Sequence, residues 1–258
     1  MKSITIIGLG WLGEACANYF VAKGYEVKGT KRLPSYLSAI KTYKWELGDD
    51  FPIEAQADYI LISIACREIE LFKFEKLFTE LKHLKVKKVI FISTTSVYNA
   101  CKGELTEQLD LKENLHTNKH LEVSNLCLET LTNAAVLRLS GLVGPNRNPA
   151  KFLSGRKDLP NANQKVNLVH QQDVLNIIEL CIDKNLEGVY NVCSSAHPTR
   201  KEFYSKVCEK FNLAIPEFSN LENEQTRWVA NSKLVEQTNY EYVYDDLLKY
   251  YLSSEAKA

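Results

Sequence analysis

The fold is decided by the stretch Ser3-Ile-Thr-Ile-Ile-Gly8-Leu-Gly10-Trp-Leu-Gly13 near the start of the chain. An apolar strand there leads into three spaced glycines, and a run with helical spacing follows at once. This order of strand, glycine loop and helix is the one that a dinucleotide-binding site needs. We therefore expect a dinucleotide at this loop, and the alternative is a glycine turn with a purely structural role.

Each glycine of the loop has a separate expected role. Gly8 permits the tight turn, Gly10 lets the backbone approach the pyrophosphate, and Gly13 lets the helix pack close to the strand. Trp11 and Leu12 open the helix, where free N–H groups and the helix dipole favour a negative charge. These five residues are the first predicted cofactor-binding residues.

Composition excludes several classes of partner. The 258 residues contain 32 Lys and Arg and 32 Asp and Glu, so the formal net charge is zero, and we expect neither nucleic acid nor a membrane surface as a partner. Seven cysteines without a Cys-x-x-Cys pair argue against a disulfide framework and a zinc ribbon, and we expect no metal site. They are typical of reduced thiols in a cytoplasmic protein. The apolar stretches are too short to span a bilayer.

The first 140 residues alternate apolar runs of strand length with amphipathic stretches, which predicts an α/β fold with a Rossmann-type, doubly wound parallel sheet. Gly24 stands where a helix would end. The predicted strands lie near 3–8, 25–30, 43–46, 58–63, 87–93 and 134–140, and the predicted helices cover 14–23, 34–40, 68–82 and 121–132.

The alternation weakens after Gly144-Pro145. A helix near 171–184, a strand near 188–193 and a helix near 200–212 are still predicted. We assign residues 1–143 and about 169–193 to a dinucleotide-binding domain, and about 144–168 and 194–258 to a small C-terminal substrate lobe. We expect this lobe over the carboxyl ends of the strands, where open α/β sheets bind their ligands.

The end of the second predicted strand bears on the choice of cofactor. Its sequence, Gly29-Thr30-Lys31-Arg32, has no carboxylate to hold the ribose hydroxyls of NAD(H). Thr30 is an uncharged hydrogen-bonding residue, and the two cations suit a 2′-phosphate. The sequence therefore favours NADP(H) over NAD(H). The alternative is a pair of solvated cations that merely precede the turn at Pro34.

Two motifs follow the later strands. The first is Phe91-Ile-Ser93-Thr94-Thr95-Ser96-Val97-Tyr98, and the second is Leu137-Arg138-Leu-Ser140-Gly141-Leu-Val-Gly144-Pro145-Asn-Arg147-Asn-Pro149. With the glycine loop, Asn167-Leu-Val-His170-Gln-Gln-Asp173, Gly188-Val-Tyr190-Asn191-Val and Thr199-Arg200-Lys-Glu202-Phe203-Tyr204, they occur in the order of one known family. The chain resembles the extended branch of the short-chain dehydrogenase/reductase superfamily, of the NAD-dependent epimerase/dehydratase type. At this length it looks most like the small atypical subgroup called YeeZ-like.

The resemblance implies a catalytic role for Thr94, which occupies the family's Ser/Thr position and would hydrogen-bond the reacting oxygen of a substrate. The alternative is a strand-end hydroxyl that satisfies its own turn. The family's Tyr-x-x-x-Lys pair is missing, because Leu121 and Asn125 match its positions. Asn125 can still hydrogen-bond a ribose hydroxyl. Tyr19 and Lys23 have the same spacing, but they lie on the helix after the glycine loop and are interpreted as a coincidence.

Other residues acquire expected roles through the same resemblance. Conceivable substitutes for the missing tyrosine are Tyr98, His116, Lys119 and His120, although the ring of Tyr98 is more typical of packing beside the cofactor. His170 and Asp173 are expected to be structural. The cofactor would also contact Ser63, Ile64, Ala65, Ser93 and Ser140.

Thr95 and Arg147 are candidate substrate contacts, and Arg147 is equally typical of a surface residue at a helix start. Dehydratases of this family have an Asp-Glu pair where this chain has Thr95 and Ser96, so dehydration of that type is disfavoured. Family members often form homodimers through helices beside the central strands, and nothing in this sequence marks such pairing independently.

Two functions remain open on this evidence. The first is an NADP(H)-dependent oxidoreductase or epimerase-like enzyme that acts on a small polar metabolite in the cleft between the sheet and the lobe. The second is a non-catalytic NADP(H)-binding sensor or scaffold protein, since the catalytic pair is missing.

Overall fold

The computed structural model describes residues 1–33, 40–66, 69–99, 101–112, 118–221, 226–254 and 256. Its strands are β1 (Ser3–Ile7), β2 (Glu26–Lys31), β3 (Lys41–Lys44), β4 (Tyr59–Ile62), β5 (Lys88–Thr94), β6 (Gly103–Leu105), β7 (Ala134–Leu139), β8 (Gly141–Val143), β9 (Leu168–His170), β10 (Gly188–Val192) and β11 (Arg227–Val229). Its α-helices are α1 (Trp11–Ala22), α2 (Leu71–His83), α3 (Lys119–Thr130), α4 (Gln171–Asp183), α5 (Arg200–Lys210), α6 (Ser232–Thr238) and α7 (Leu247–Leu252).

Seven of these strands form one parallel sheet in the order β10-β7-β5-β4-β1-β2-β3. The first strand lies inside the sheet, with Ile7 opposite Thr30 of β2 and Ile62 of β4. The carboxyl ends of these parallel strands meet at one edge of the sheet, which we call the carboxyl edge. The predicted Rossmann-type fold is confirmed.

Three of the four helices predicted in the first half are confirmed, with starts that differ by two or three residues. One prediction, the helix at 34–40, falls almost wholly on residues outside the described part of the chain. Gly24 follows the end of α1 with a φ of +79°, and its N–H donates to the Val21 carbonyl at 3.0 Å. This left-handed conformation favours glycine at the end of a helix, as the sequence predicted.

The described chain divides into two compact units. Unit 1 comprises Met1–Val97, Asp110–Arg138 and Leu175–Tyr190. One core cluster of this unit lies between the sheet and the helices α2 and α3, and includes the buried rings of Phe74, Phe78 and Phe91 in edge-on contact. Burial of these apolar side chains is the main driving force for the packing of α2.

Unit 2 comprises Tyr98–Leu109, Leu139–Val174 and Asn191–Ala258. It contains two short parallel ladders, β6 with β11 and β8 with β9. Its core lies around α5 and α7, where the rings of Phe203 and Tyr251 pack at 5.9 Å. The sequence predicted none of these four three-residue strands, nor α6 and α7.

His170 and Asp173 have structural roles in unit 2, as expected. The carboxylate of Asp173 is completely buried in the first turn of α4. It accepts hydrogen bonds from the Tyr240 hydroxyl at 2.8 Å, the Val243 N–H at 2.7 Å and the Tyr244 N–H at 3.1 Å. Asp173 therefore fastens the C-terminal segment to the start of α4.

The ring of His170 is buried beside Tyr244 and Tyr250, with ring centroids 4.0 and 5.0 Å apart. Its Nδ1 accepts a hydrogen bond from the Gln172 N–H at 3.1 Å, so the ring is held in the neutral form with the proton on Nε2. Burial disfavours the charged form and lowers the pKa of His170 from 6.5 to about 4.

This shift predicts a loss of stability in mild acid. Above the ordinary pKa of histidine, the His170 ring is neutral in both the folded and the unfolded chain, so its protonation does not reduce the free energy of unfolding. As the pH falls toward the lowered pKa, the unfolded chain binds a proton that the buried ring does not. We expect His170 to reduce the free energy of unfolding by about 2 kcal/mol between about pH 7 and about pH 5.

The measurement is denaturant unfolding across this pH range for the protein and for a His170→Asn variant, whose amide oxygen can still accept from Gln172. Because every other titrating group is shared, the difference between the two pH slopes isolates His170. Equal slopes would contradict the assignment.

Candidate cofactor and active site

Two glycines of the loop are required by the protein's own packing. Gly8 has a φ of +99°, and a Cβ placed on it would lie 2.6 Å from the Ser63 carbonyl oxygen. A Cβ on Gly13 would collide with the Gly8 carbonyl oxygen. The loop therefore folds tightly between the ends of β1 and β4, and α1 starts close against it.

Gly10 is different. It has an extended backbone, with a φ of −95° that other residues also adopt. Among the described residues, its two chain neighbours aside, no atom lies within 4 Å of a Cβ placed on it. Gly10 is the N-cap of α1, and as a glycine it has no side chain to supply a capping hydrogen bond. The protein's own packing thus gives no reason for a glycine, whereas close approach of a phosphate to this backbone does.

The end of β2 lies directly beside the loop. The Leu9 N–H donates to the carbonyl of the buried Thr30 at 3.2 Å, and the Leu9 side chain packs over Gly29. Lys31 forms an ion pair with Glu14 of α1, with Nζ 2.9 Å from Oε1. Arg32 is exposed. The strand end is therefore cationic, with one carboxylate facing it from α1.

The turn after β4 borders the loop from the other side. The Ser63 N–H continues the sheet by donating to the Ile7 carbonyl at 2.8 Å. Ile64 is half-buried against the core of unit 1, and Ala65 is exposed. These three predicted cofactor contacts thus lie at the carboxyl edge next to the glycine loop.

The hydroxyls at the end of β5 have different roles. The Ser93 hydroxyl is buried and lies 2.9 Å from the Ser124 hydroxyl, so the Ser93 side chain joins β5 to α3. The Ser124 hydroxyl itself donates to the His120 carbonyl at 2.6 Å. Thr94 is half-buried, and its Oγ1 accepts from the Ser96 N–H at 3.2 Å. This turn leaves the Thr94 hydroxyl hydrogen available to donate. Thr95 is also half-buried.

Helix α3 carries the two residues that match the missing Tyr-Lys pair. Leu121 is buried, with 3% of its surface exposed, and Asn125 lies one turn later and is half-buried. A leucine has no group that can transfer a proton, so this helix supplies no acid–base residue at the tyrosine position. Asn125 retains an amide that can donate and accept.

Sequence reasoning missed Asn118. Its Oδ1 accepts from the Leu121 N–H at the start of α3, and its Nδ2 donates to the Ser96 carbonyl at 2.8 Å. It therefore ties the turn that follows Thr94 to α3. An asparagine directly before a helix is a recognised N-cap signal, so its capping role was predictable from the sequence, whereas its bond to Ser96 was not.

The residues considered as substitutes for the tyrosine gain no support from the geometry. Tyr98 is completely buried, and its hydroxyl donates to the Asn191 Oδ1 at 2.9 Å. The Lys119 ammonium forms an ion pair with Glu122 at 2.9 Å. His120 lies in the first turn of α3, where its carbonyl accepts from Ser124. His116 lies outside the described residues.

The spacing match at Tyr19 and Lys23 is a coincidence, as interpreted. The Tyr19 hydroxyl donates to Glu179 of α4 at 2.5 Å, and the Lys23 ammonium lies 2.9 Å from the same carboxylate. Burial and this carboxylate raise the pKa of Tyr19 to about 12. The shift is opposite to the one that acid–base catalysis near neutral pH requires.

Ser140 and Arg147 belong to unit 2. Ser140 is buried directly before β8, and its N–H donates to the Val192 carbonyl at 3.0 Å. Arg147 is exposed, and its Nε donates to the Leu142 carbonyl at 3.0 Å. The Arg147 side chain is thus held at one end while it remains accessible.

Comparison with known proteins identifies the family. No family model matches the chain. Protein YeeZ of Escherichia coli K12 is 32% identical over 270 aligned positions, which cover 96% of this chain and 98% of that protein. The chain belongs to the YeeZ family. The predicted resemblance to the YeeZ-like subgroup is thereby confirmed for this YeeZ family member.

Solved structures show the same fold as this YeeZ family member. The enzyme WbmH of Bordetella bronchiseptica, in complex with NAD⁺, is 16% identical with a TM-score of 0.79, and the match covers 98% of this chain and 96% of that one. UDP-glucuronic acid 4-epimerase of Bacillus cereus, in complex with NAD, is 17% identical with a TM-score of 0.77 and coverages of 97% and 96%. These matches establish an epimerase/dehydratase-like Rossmann fold.

Two structural features are absent from the described residues of this YeeZ family member. Among the described helices, none has both the length and the apolar character to cross a bilayer. The same part of the chain contains no cluster of three or more His, Cys, Asp or Glu side chains arranged to hold a metal ion.

Proposed function

We propose that this protein binds NADP(H) through its glycine loop and acts as an oxidoreductase or epimerase-like enzyme on a small polar metabolite. The observation that carries the proposal is the open space around Gly10, because that glycine is explained by close approach of a ligand and not by the protein's packing. The two structural neighbours described above, whose complexes contain NAD, support a nicotinamide dinucleotide as that ligand.

The residues at the carboxyl edge fit such a cofactor. The N–H groups of residues 11–13 lie in the first turn of α1, where the helix dipole stabilises phosphate charge. The turn at residues 63–65 is adjacent, and Asn125 offers an amide to a ribose hydroxyl. When bound, the nicotinamide supplies hydride transfer.

The preference for NADP(H) rests on charge at the end of β2. Lys31 and Arg32 are cations, and no carboxylate occupies positions 30–33 to hold the ribose hydroxyls. A 2′-phosphate is attracted by these cations and would be repelled by the acidic residue usual for NAD(H).

Thr94 is the residue proposed to act on the substrate. Its Oγ1 accepts from the Ser96 N–H, which orients the hydroxyl so that its hydrogen can be donated to a carbonyl or alcohol oxygen. Asn118 holds the same turn through the Ser96 carbonyl. Leu121 cannot supply the proton that accompanies hydride transfer. Arg147 is proposed to contact an anionic group of the substrate.

A second function is favoured by one specific observation. Leu121 is buried where the family's tyrosine belongs, and Asn125 replaces the lysine that tunes it. A protein that binds NADP(H) without turning it over would act as a sensor or scaffold.

Replacement of Thr94 separates the two functions. The protein is first screened for NADPH oxidation with sugar nucleotides, aldehydes and ketones. With the substrate found, we expect Thr94→Val to lower kcat/KM by about 100-fold, since it removes the hydrogen bond to the reacting oxygen. NADPH binding, measured by fluorescence, is expected to change less than about twofold, because Thr94 is not assigned to the cofactor.

Thr94→Ser is the matched control and should keep most of the activity, because it retains the hydroxyl. An unchanged kcat/KM in Thr94→Val would remove Thr94 from the mechanism. NADPH binding without oxidation by any compound of the panel would favour the sensor or scaffold.

A further inference from the structure

The strand β3 brings another cation to the end of β2. The two strands are parallel, with Lys31 directly opposite Lys44, and the pairing continues through the Trp45 N–H, which donates to the Lys31 carbonyl at 3.1 Å. Opposite residues of neighbouring strands extend toward the same face of a sheet. Lys44 is exposed and lies on the same face as Lys31.

This face is the one that the glycine loop and α1 cover. Gly29, two residues before Lys31, faces the same way, and a Cβ placed on it would lie 2.6 Å from the Leu9 side chain. Lys31 itself reaches Glu14 in the first turn of α1. Lys44 therefore lies on the loop side of the sheet, at the carboxyl edge.

Lys28 and Lys41 provide a contrast within the same two strands. They are opposite each other at the far end of β3, three residues before Lys31 and Lys44, so they extend toward the other face. The Lys28 ammonium donates to the Gln56 carbonyl at 3.0 Å, which accounts for its direction. Of the two lysines of β3, Lys44 therefore lies on the loop side of the sheet and Lys41 on the other side.

The net charge at the ends of β2 and β3 is positive. On the loop side, Lys31 and Lys44 contribute two positive charges and Glu14 contributes one negative charge, and the exposed Arg32 follows directly after Lys31. The Lys31 and Glu14 side chains are 29% and 39% exposed, so their ion pair is accessible to solvent and its net strength is modest. A dianionic phosphate competes well with a single carboxylate for a lysine.

We propose that Lys44 is a specificity-determining residue for the 2′-phosphate of NADP(H), and that Glu14 moderates this affinity by holding Lys31 until the phosphate replaces it. The inference rests on the proposed NADP(H) site and adds two residues to it. Glu14 has a further effect in the absence of cofactor, since it neutralises part of the positive charge at this edge.

Binding constants for NADP⁺ and NAD⁺, measured by calorimetry on the full chain, test the inference. We expect Lys44→Gln to raise the Kd for NADP⁺ by about fivefold and that for NAD⁺ by less than about twofold, because only NADP⁺ carries the phosphate. Glu14→Gln should lower the Kd for NADP⁺ by about threefold, since Lys31 is then released. Lys41→Gln is the matched control, and should leave both constants unchanged.

The outcomes are distinct. If the unsubstituted protein binds NADP⁺ while Lys44→Gln changes neither constant, or both equally, the inference is wrong and the proposed function stands. The inference also fails for Glu14 if Glu14→Gln weakens NADP⁺ binding. If the unsubstituted protein binds neither dinucleotide, the proposed function is overturned together with the inference.

Discussion

Replacement of Gly10 by threonine is expected to abolish dinucleotide binding while the protein stays folded. The new Cβ would occupy the space through which the pyrophosphate approaches the backbone, and we expect the Kd for NADP⁺ to rise by at least about 100-fold, or about 3 kcal/mol. The fold should tolerate the change, because in the described part of the chain no atom beyond the two neighbouring residues lies within 4 Å of the new Cβ. Threonine is also about as good a helix N-cap as glycine, so the free energy of unfolding should change by less than about 1 kcal/mol.

The measurements are calorimetric binding of NADP⁺ and urea unfolding of the same preparation. Gly13→Ala provides the contrast, since its Cβ would collide with the Gly8 carbonyl oxygen and should destabilise the fold itself. Unchanged binding by a folded Gly10→Thr variant would show that the dinucleotide does not bind at this loop. A Gly10→Thr variant that does not fold would show instead that the glycine has a structural role.

Asp173→Ala is expected to cause the largest loss of stability. The substitution removes the acceptor of the Tyr240 hydroxyl and of the N–H groups of Val243 and Tyr244, whose hydrogen bonds to the buried Asp173 are partly shielded from solvent. Unmet buried donors each cost about 1–3 kcal/mol, and because some relax toward water we expect a total near 4 kcal/mol. Burial raises the pKa of Asp173, and the three donors oppose that shift by favouring the carboxylate.

Denaturant unfolding of Asp173→Ala and of a control, Asp183→Ala, checks this prediction. Asp183 belongs to the same helix and forms an ion pair with Lys2 at 3.0 Å, but both side chains are about half exposed. Its replacement should cost less than about 1 kcal/mol. Similar losses in the two variants would mean that the buried carboxylate does not anchor the C-terminal segment.

The sheet was predictable because its strands are locally encoded. Each central strand is a short apolar run bounded by polar or turn residues, and the predicted limits lie within about two residues of those observed for β1 to β5. The glycine loop was predictable for a similar reason, since Gly8, Gly10 and Gly13 fall within six consecutive positions at the junction of β1 and α1.

Much of unit 2 was not predictable, because its contacts join distant parts of the chain. The strand β6 has only three residues and pairs with β11 at Arg227–Val229, more than a hundred positions later. Three residues cannot display an alternation, and a partner at that distance leaves no local signal. The Asp173 anchor has the same character, because its donors lie 67 to 71 positions away.

In the candidate site, too, locally encoded features were predictable and long-range contacts were not. The matches at Thr94, Leu121 and Asn125 were found by aligning motifs, whereas the burial of Tyr98 against Asn191 depends on tertiary packing. Likewise, the ion pair between Lys31 and Glu14 joins a strand to a helix, and only the register of β2 with β3 placed Lys44 beside them.

The segmented make-up of the two units has a consequence for biosynthesis. Unit 1 needs the segment Leu175–Tyr190, and unit 2 needs residues as late as Tyr251 in its core. A ribosome therefore releases most of the polypeptide before either unit has all its parts, so the nascent chain cannot complete one unit and then begin the other. Chaperones that shield emerging apolar strands have a long interval in which to act on this protein.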